Sequence, residues 1–153
     1  MTAYPIKLQV NGQEYELSVE VDIRLIDLLR DHLGFLGNKE GCGKGECGTC
    51  TVIMNGKTVT ACLVLALQAD GAEVITIEGL GGQQALHPLQ ESFIRHGAVQ
   101  CGYCIPGMIM SAKHLLDTNS SPNREEIRRA ISGNLCRCTG YTKIIDAIEA
   151  VMM

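Results

Sequence analysis

Residues 38–50 read Asn38-Lys39-Glu40-Gly41-Cys42-Gly43-Lys44-Gly45-Glu46-Cys47-Gly48-Thr49-Cys50. Three cysteines and four glycines alternate here, and neither residue type builds a helix or strand in that arrangement. A loop that wraps an anionic centre must turn continuously and aim backbone N–H groups inward, which requires positive φ and close approach. Gly41, Gly43, Gly45 and Gly48 supply that freedom beside the Cys42, Cys47 and Cys50 thiols. This stretch therefore reads as a metal-binding loop and organises everything around it.

The whole chain has 153 residues, 8 of them cysteine, with a formal charge of −4, 46% hydrophobic and 20% charged residues. That apolar content is enough to fold and excludes general disorder. The charge is too small in either sign to imply a nucleic-acid or anionic-membrane partner, and with no Trp, 4 Tyr and 2 Phe there is little for base stacking. The longest apolar stretch, Ala61 to Leu67, falls far short of the ~20 residues of a membrane span. The N-terminus has no basic segment followed by an apolar one and no paired arginines, so the expectation is a cytoplasmic protein without an export signal. In a reducing compartment eight cysteines point to metal or redox work rather than disulfides.

Outside the loop, Ile6, Leu8 and Val10 alternate with polar residues, Asn11-Gly12 supplies a type I′ turn, and Tyr15, Leu17 and Val19 alternate again, which predicts a β-hairpin. Asp22 stands where it can cap a helix carrying Leu25, Leu28, Leu29 and Leu33, with Gly34 past its end. Thr51 to Met54 and Thr58 to Leu63 flank a second Asn-Gly turn at Asn55-Gly56, and Glu73 to Ile77 reads as a further strand. After Gly79-Leu80-Gly81-Gly82, which looks like a linker, the apolar period changes from two to 3.6. Pro88 opens a helix with Leu89 and Phe93 on one face, ending at Gly97. Pro106 opens a second with Ile109, Ala112, Leu115 and Leu116 inward. Asn123 and Glu126 form a capping box for a third, with Ile127, Ala130 and Ile131, ending at Gly133. A fourth begins near Thr142 with Ile144, Ile148 and Val151. The expectation is an α+β chain: a sheet crossed by a helix over residues 1–79, then an all-α domain over 83–153.

The cysteines fall into two sets of four. Cys42, Cys47, Cys50 and Cys62 read C-x4-C-x2-C-x11-C, and Cys101, Cys104, Cys136 and Cys138 read C-x2-C-x31-C-x-C. The first spacing is that of plant-type [2Fe-2S] ferredoxins, although the fourth cysteine comes sooner; the hairpin at Asn55-Gly56 returns Cys62 to the loop. Zinc prefers paired C-x2-C knuckles and fits glycine-rich C-x4-C poorly. The second set lies just before two helix N-termini, whose positive ends favour an anionic cluster. By spacing alone it could hold zinc; a redox neighbour in the same chain favours a second cluster.

Gly41 to Cys50, Gln100-Cys101-Gly102-Tyr103-Cys104-Ile105-Pro106-Gly107 and Gly133-Asn134-Leu135-Cys136-Arg137-Cys138-Thr139-Gly140-Tyr141 together resemble the iron-sulfur small subunit of the molybdenum hydroxylases, the xanthine dehydrogenase, aldehyde oxidase and carbon monoxide dehydrogenase family. The resemblance spans nearly the whole chain in order and spacing. It implies an N-terminal β-grasp ferredoxin-like domain and a C-terminal four-helix bundle, each with one [2Fe-2S] cluster. It also implies a large partner subunit with a molybdenum-pterin cofactor, contacted by Gln100 and Cys138, and electron flow through the helical-domain cluster, then the ferredoxin-domain cluster, then FAD or another acceptor. Fused relatives continue into molybdenum and FAD domains; here those are expected on separate subunits, in a hetero-oligomer such as a dimer of heterotrimers. No residue of this chain is expected to handle substrate. A purine or other N-heterocycle is the expected substrate of the complex, with an aldehyde- or carbon monoxide-oxidising complex, or a free-standing two-cluster ferredoxin, as alternatives.

Two positions depart from the family pattern. Ile105 replaces a Thr before Pro106 and removes a possible helix N-cap, and Thr49 replaces an Ala beside Cys50, putting a hydroxyl within reach of a sulfur. Lys39, Glu40, Lys44 and Glu46 read as a solvated rim, and Arg124, Arg128 and Arg129 as an exposed face paired with Glu125 and Glu126. Arg137, between two cysteines, is divided between an interface and solvent. His32, His87, His96 and His114 show no metal spacing, and Met108, Met110, Met152 and Met153 read as core or subunit contacts.

Overall fold

The computed structural model describes residues 3–82 and 85–152. The start of the expected second domain at Gln83 and the contact expected of Met153 lie outside these. β1 (Ala3–Val10) and β2 (Gln13–Glu20) form the antiparallel hairpin, with Ile6 opposite Leu17 and Leu8 opposite Tyr15. Its turn is of the expected kind, since Asn11 and Gly12 both have positive φ, 52° and 82°. β3 (Thr51–Met54) pairs with β4 (Lys57–Thr60) across a matching Asn55-Gly56 turn, and β5 (Glu73–Ile75) lies between β1, to which it is parallel, and β3, to which it is antiparallel. The sheet order is β2-β1-β5-β3-β4, the mixed arrangement of a β-grasp domain.

The helix across this sheet departs from expectation. It starts at Leu25, runs as α1 (Leu25–Asp27) and widens into a π-helix over Leu28–His32. Asp22 does not cap it: the N-cap position is Arg24, without a side-chain cap. The free N–H groups of Leu25 and Ile26 donate instead to the carbonyls of Val64 and Ala61, at 2.7 and 3.1 Å. Tertiary carbonyls do what a capping side chain usually does, and the segment they come from carries Cys62. Cys62 lies beyond the end of β4, in a turn closed by Leu63 N–H to Thr60 O, so the strand is shorter than expected.

Four helices follow: α2 (Pro88–Arg95), α3 (Ile105–Thr118), α4 (Arg124–Ala130) and α5 (Thr142–Glu149). The Asn123–Glu126 capping box is present, with Asn123 Oδ1 accepting from the Glu125 and Glu126 amides and Glu126 reaching back to the Asn123 amide. Arg124 pairs not with its own helix but with Asp146 and Glu149 of α5, at 2.6 and 2.5 Å, which ties α4 to α5. Ile105 is the first helical residue of α3 and is buried; the N-cap position belongs to Cys104, so the family's Thr position is not the cap here.

Two apolar cores form. One joins Leu8, Val10, Leu25, Leu28, Val52 and Val74; the other joins Leu89, Phe93, Met108, Ile127, Ile144 and Ile148. Ile77 and Leu80, just before the glycines 81 and 82, pack against the second. α3 lies against β3 and β4, the hairpin that leads out of the cysteine loop.

Candidate metal centres

The first cysteine loop is built by glycines that cannot be replaced without intrusion. A Cβ on Gly41 would lie 2.8 Å from Cys47 Sγ and 3.4 Å from Thr49 Oγ1, and Gly43, Gly45 and Gly48 all have positive φ. The amides of Lys44 and Glu46 point at Cys42 Sγ, at 3.4 and 3.3 Å. These N–H groups, Lys44's first and then Cys47's, hold the Cys42 thiol down at about 6. An inward row of donors is what an anionic centre requires.

The thiols meet in pairs. Cys42 stands beside Cys47, and Cys50 beside Cys62. Burial pushes Cys50 up to about 12, its neighbour Cys62 adding to the shift. In the helical domain burial likewise pushes Cys104 up to about 12, with Cys136 beside it, and Cys138 is raised chiefly by its contact with Cys101. For Cys136 burial acts upward, but the Thr139 hydroxyl and amide reverse the balance and bring the thiol below its ordinary value. The buried Cys50 and Cys104 thiols, pushed up by burial, ionise only with a cation beside them. The donor set therefore fits a thiophilic metal centre. Among the described residues no three His, Cys, Asp or Glu side chains converge on a single-ion position.

The second loop has its own supports. Cys104 is the residue from which α3 starts, and Tyr141, with φ 69°, the one from which α5 starts. The Tyr141 hydroxyl accepts from the Cys136 amide at 2.8 Å, which fixes the C-x-C segment against α5. Gln100, Cys101, Arg137 and Cys138 are exposed, as are Val99, Tyr103 and Leu135, which are 39%, 49% and 56% accessible.

The two loops touch. Leu135 N–H donates to Cys47 O at 2.9 Å, Asn134 Nδ2 to Gly48 O at 2.9 Å, and the Tyr103 hydroxyl to Glu40 O at 2.6 Å. A Cβ on Gly107 would lie 2.4 Å from Gly48 O, so α3 also comes up against the first loop by backbone alone. Sequence reading singled out all eight cysteines but neither Asn134 nor Tyr103 as a bridge. It also took Glu40 for a solvated side chain, whereas Glu40 is held by Arg24 at 2.6 Å. Lys44 and Glu46 are exposed, as expected, and pair at 3.4 Å.

Two paired-thiol loops on a ferredoxin-like sheet and a helical domain define a two-centre iron-sulfur protein, and comparison with known proteins agrees. Residues 7–94 match the 2Fe-2S iron-sulfur cluster binding domain and residues 76–149 the [2Fe-2S] binding domain. The chain is 53% identical to the nicotinate dehydrogenase small FeS subunit of Eubacterium barkeri, over 97% of this chain and 95% of that one. The crystal structure of quinoline 2-oxidoreductase from Pseudomonas putida 86 superimposes with a TM-score of 0.95 at 45% identity, covering 98% of this chain and 94% of the matched chain. The aldehyde oxidoreductase of Desulfovibrio gigas superimposes at 0.93 with 47% identity, but there the match covers only 17% of a much longer chain. This chain belongs to the family of small iron-sulfur, electron-transferring subunits of the molybdenum hydroxylases.

Proposed function

We propose that Cys42, Cys47, Cys50 and Cys62 hold one [2Fe-2S] cluster and Cys101, Cys104, Cys136 and Cys138 the other, and that the chain carries single electrons between two partner-borne cofactors. The observation that carries this reading is the contact between the two cysteine loops through Leu135 N–H and Cys47 O, at 2.9 Å. When bound, the clusters supply one-electron redox chemistry, and the residues of this chain hold them, shield them and set their spacing. Cys50, Cys62 and Cys104 are buried and shielded from water, while Cys101 and Cys138 reach the surface and Cys42 is partly accessible.

Exposed Val99 and Gln100, with the exposed Cys101 and Cys138, are offered to a large molybdenum-pterin subunit, Gln100 and Cys138 facing the pterin. The Cys42 loop, rimmed by Lys44, Glu46 and the 61% accessible Leu63, faces the electron acceptor, FAD on a separate subunit. The complex is a cytoplasmic hetero-oligomer, a dimer of heterotrimers in its full form. A purine or other N-heterocycle is its substrate; relatives named for nicotinate and quinoline support that choice. The separate cores support the division into a ferredoxin-type domain over 1–79 and a helical domain over 83–153.

Purification of the tagged chain from its native host tests the reading. The expected result is a red-brown complex with about four irons per copy of this chain, by the two-cluster count, a larger molybdenum-containing chain and a flavoprotein. A colourless protein carrying zinc overturns it, and a red monomer without molybdenum partners replaces it with a free ferredoxin.

A further inference from the structure

Asn134 is a buried amide, 4% accessible, in a loop whose neighbours Gly133 and Leu135 are exposed. A polar side chain is buried in such a place only when hydrogen bonds repay its desolvation. Its Nδ2 donates to Gly48 O at 2.9 Å and lies 3.4 Å from Thr51 Oγ1, which itself donates to the same carbonyl at 2.6 Å. Gly48 is pressed so closely against Asn134 that a Cβ there would sit 2.8 Å from Nδ2, 3.0 Å from the Asn134 Cα and 2.3 Å from Gly133 O. The contact spans 86 residues of sequence and joins the two domains. On either side of it lie chemically important neighbours: Gly48 follows Cys47, and Asn134 precedes Leu135 and Cys136.

We propose that Asn134 is a positioning residue for electron transfer: its amide locks Gly48, and this holds the adjacent Leu135 N–H on Cys47 O as the covalent-and-hydrogen-bonded route between the two cysteine sets. The route runs from Cys136 through its own backbone to Leu135 N–H, across one 2.9 Å hydrogen bond, and into the backbone of Cys47. With both clusters bound, one electron would cross per event, the cluster held by Cys136 losing it and the cluster held by Cys47 gaining it, with no bond or proton exchanged. The amide is needed because it donates. The isosteric carboxylate of Asn134→Asp would set an acceptor oxygen against Gly48 O and the loops would part.

The inference rests on the two-cluster reading, and its test separates the two. In the full chain with its clusters, reduced by dithionite, the wild type is expected to give two [2Fe-2S] EPR signals that split each other, together with slow hydrogen exchange at the Leu135 amide. Asn134→Asp is expected to keep both signals at full intensity, reduce the mutual splitting, and exchange the Leu135 amide roughly tenfold faster, the factor of about one net hydrogen bond. Thr51→Val, which removes only the flanking hydroxyl, moves both readouts the same way by less and serves should the Asp variant fail to fold. Unchanged splitting and unchanged exchange in a folded variant overturn the inference while leaving the clusters in place. Two wild-type signals that do not split each other overturn this inference alone, and a wild type without two [2Fe-2S] signals overturns the cluster reading and this inference with it.

Discussion

Arg24 grips Glu40 with both ends of its guanidinium, Nη1 to Oε1 at 2.6 Å and Nη2 to Oε2 at 3.0 Å, while its Nε and Nη2 hold Asp27 at 2.8 and 2.7 Å. Asp27 first and Glu40 second raise Arg24 above its ordinary range, and Arg24 in turn lowers Asp27. The start of α1 is thereby clamped to the residue two before Cys42. Arg24→Met keeps the stem and removes the fork. It should release iron to a chelator faster from the first site than from the second, and lower stability by about 1 kcal/mol, as befits a partly exposed ion pair. Chelation kinetics followed by absorbance and EPR check it; equal loss from both sites would count against the clamp.

The tightest backbone approach between the loops is at Gly48. Gly48→Ala would combine a 2.3 Å contact with Gly133 O and a φ of +68°, so the fold should lose about 2 kcal/mol or more. Gly12→Ala, at φ +82° with nothing within 4 Å, tests the conformational part alone and should lose only about 1 kcal/mol. Denaturant unfolding of the two variants side by side measures the difference; equal losses would mean that the approach at Gly48 is not tight in solution.

His87 is a titratable helix cap. Its Nδ1 accepts the Leu89 amide at 3.2 Å and the Gln90 carbonyl oxygen of the side chain returns the favour at the His87 amide, at 2.9 Å. Burial, then the nearby Lys113, lowers its pKa from the ordinary 6.5. A depressed value means that the unfolded chain takes up a proton before the folded one. The cap is therefore intact above about pH 6.5 and its contribution disappears as pH falls through the lowered value. Thermal unfolding between pH 7.5 and 5.5 should show stability falling with pH below about 6.5. His87→Asn, which caps without titrating, should flatten that part of the profile; an unchanged slope would assign it elsewhere.

Cys47 touches the second domain through its carbonyl rather than its thiol. Cys47→Ser should accordingly abolish one EPR signal and leave the other, with the hydrogen bond to Leu135 retained. Simultaneous loss of both signals would show that the sites do not assemble independently.

Much of this was legible locally. The Asn-Gly turns, the strands β1, β2 and β3, and the Asn123–Glu126 box all depend on residues within four positions of one another, so pattern and propensity suffice. The start of α1 was misread because its first amides are satisfied by Ala61 and Val64, carbonyls some thirty-five or more positions away. Glu40 and Arg124 were misread for the same reason: each found its partner on another element, Arg24 in one case, Asp146 and Glu149 in the other.

The chain's order of residues by itself determined the eight thiols, the glycines that let the first loop turn, the two structural periods and the family. Spacing along a chain is enough for these, because a metal-binding loop is a local object. Only the tertiary structure decided that Gly48 and Gly107 meet, that Asn134 is buried, and that Cys47 and Leu135 share a hydrogen bond. Those are contacts between residues some sixty to ninety positions apart, made wherever two packed cores bring backbone against backbone, and no local pattern carries them.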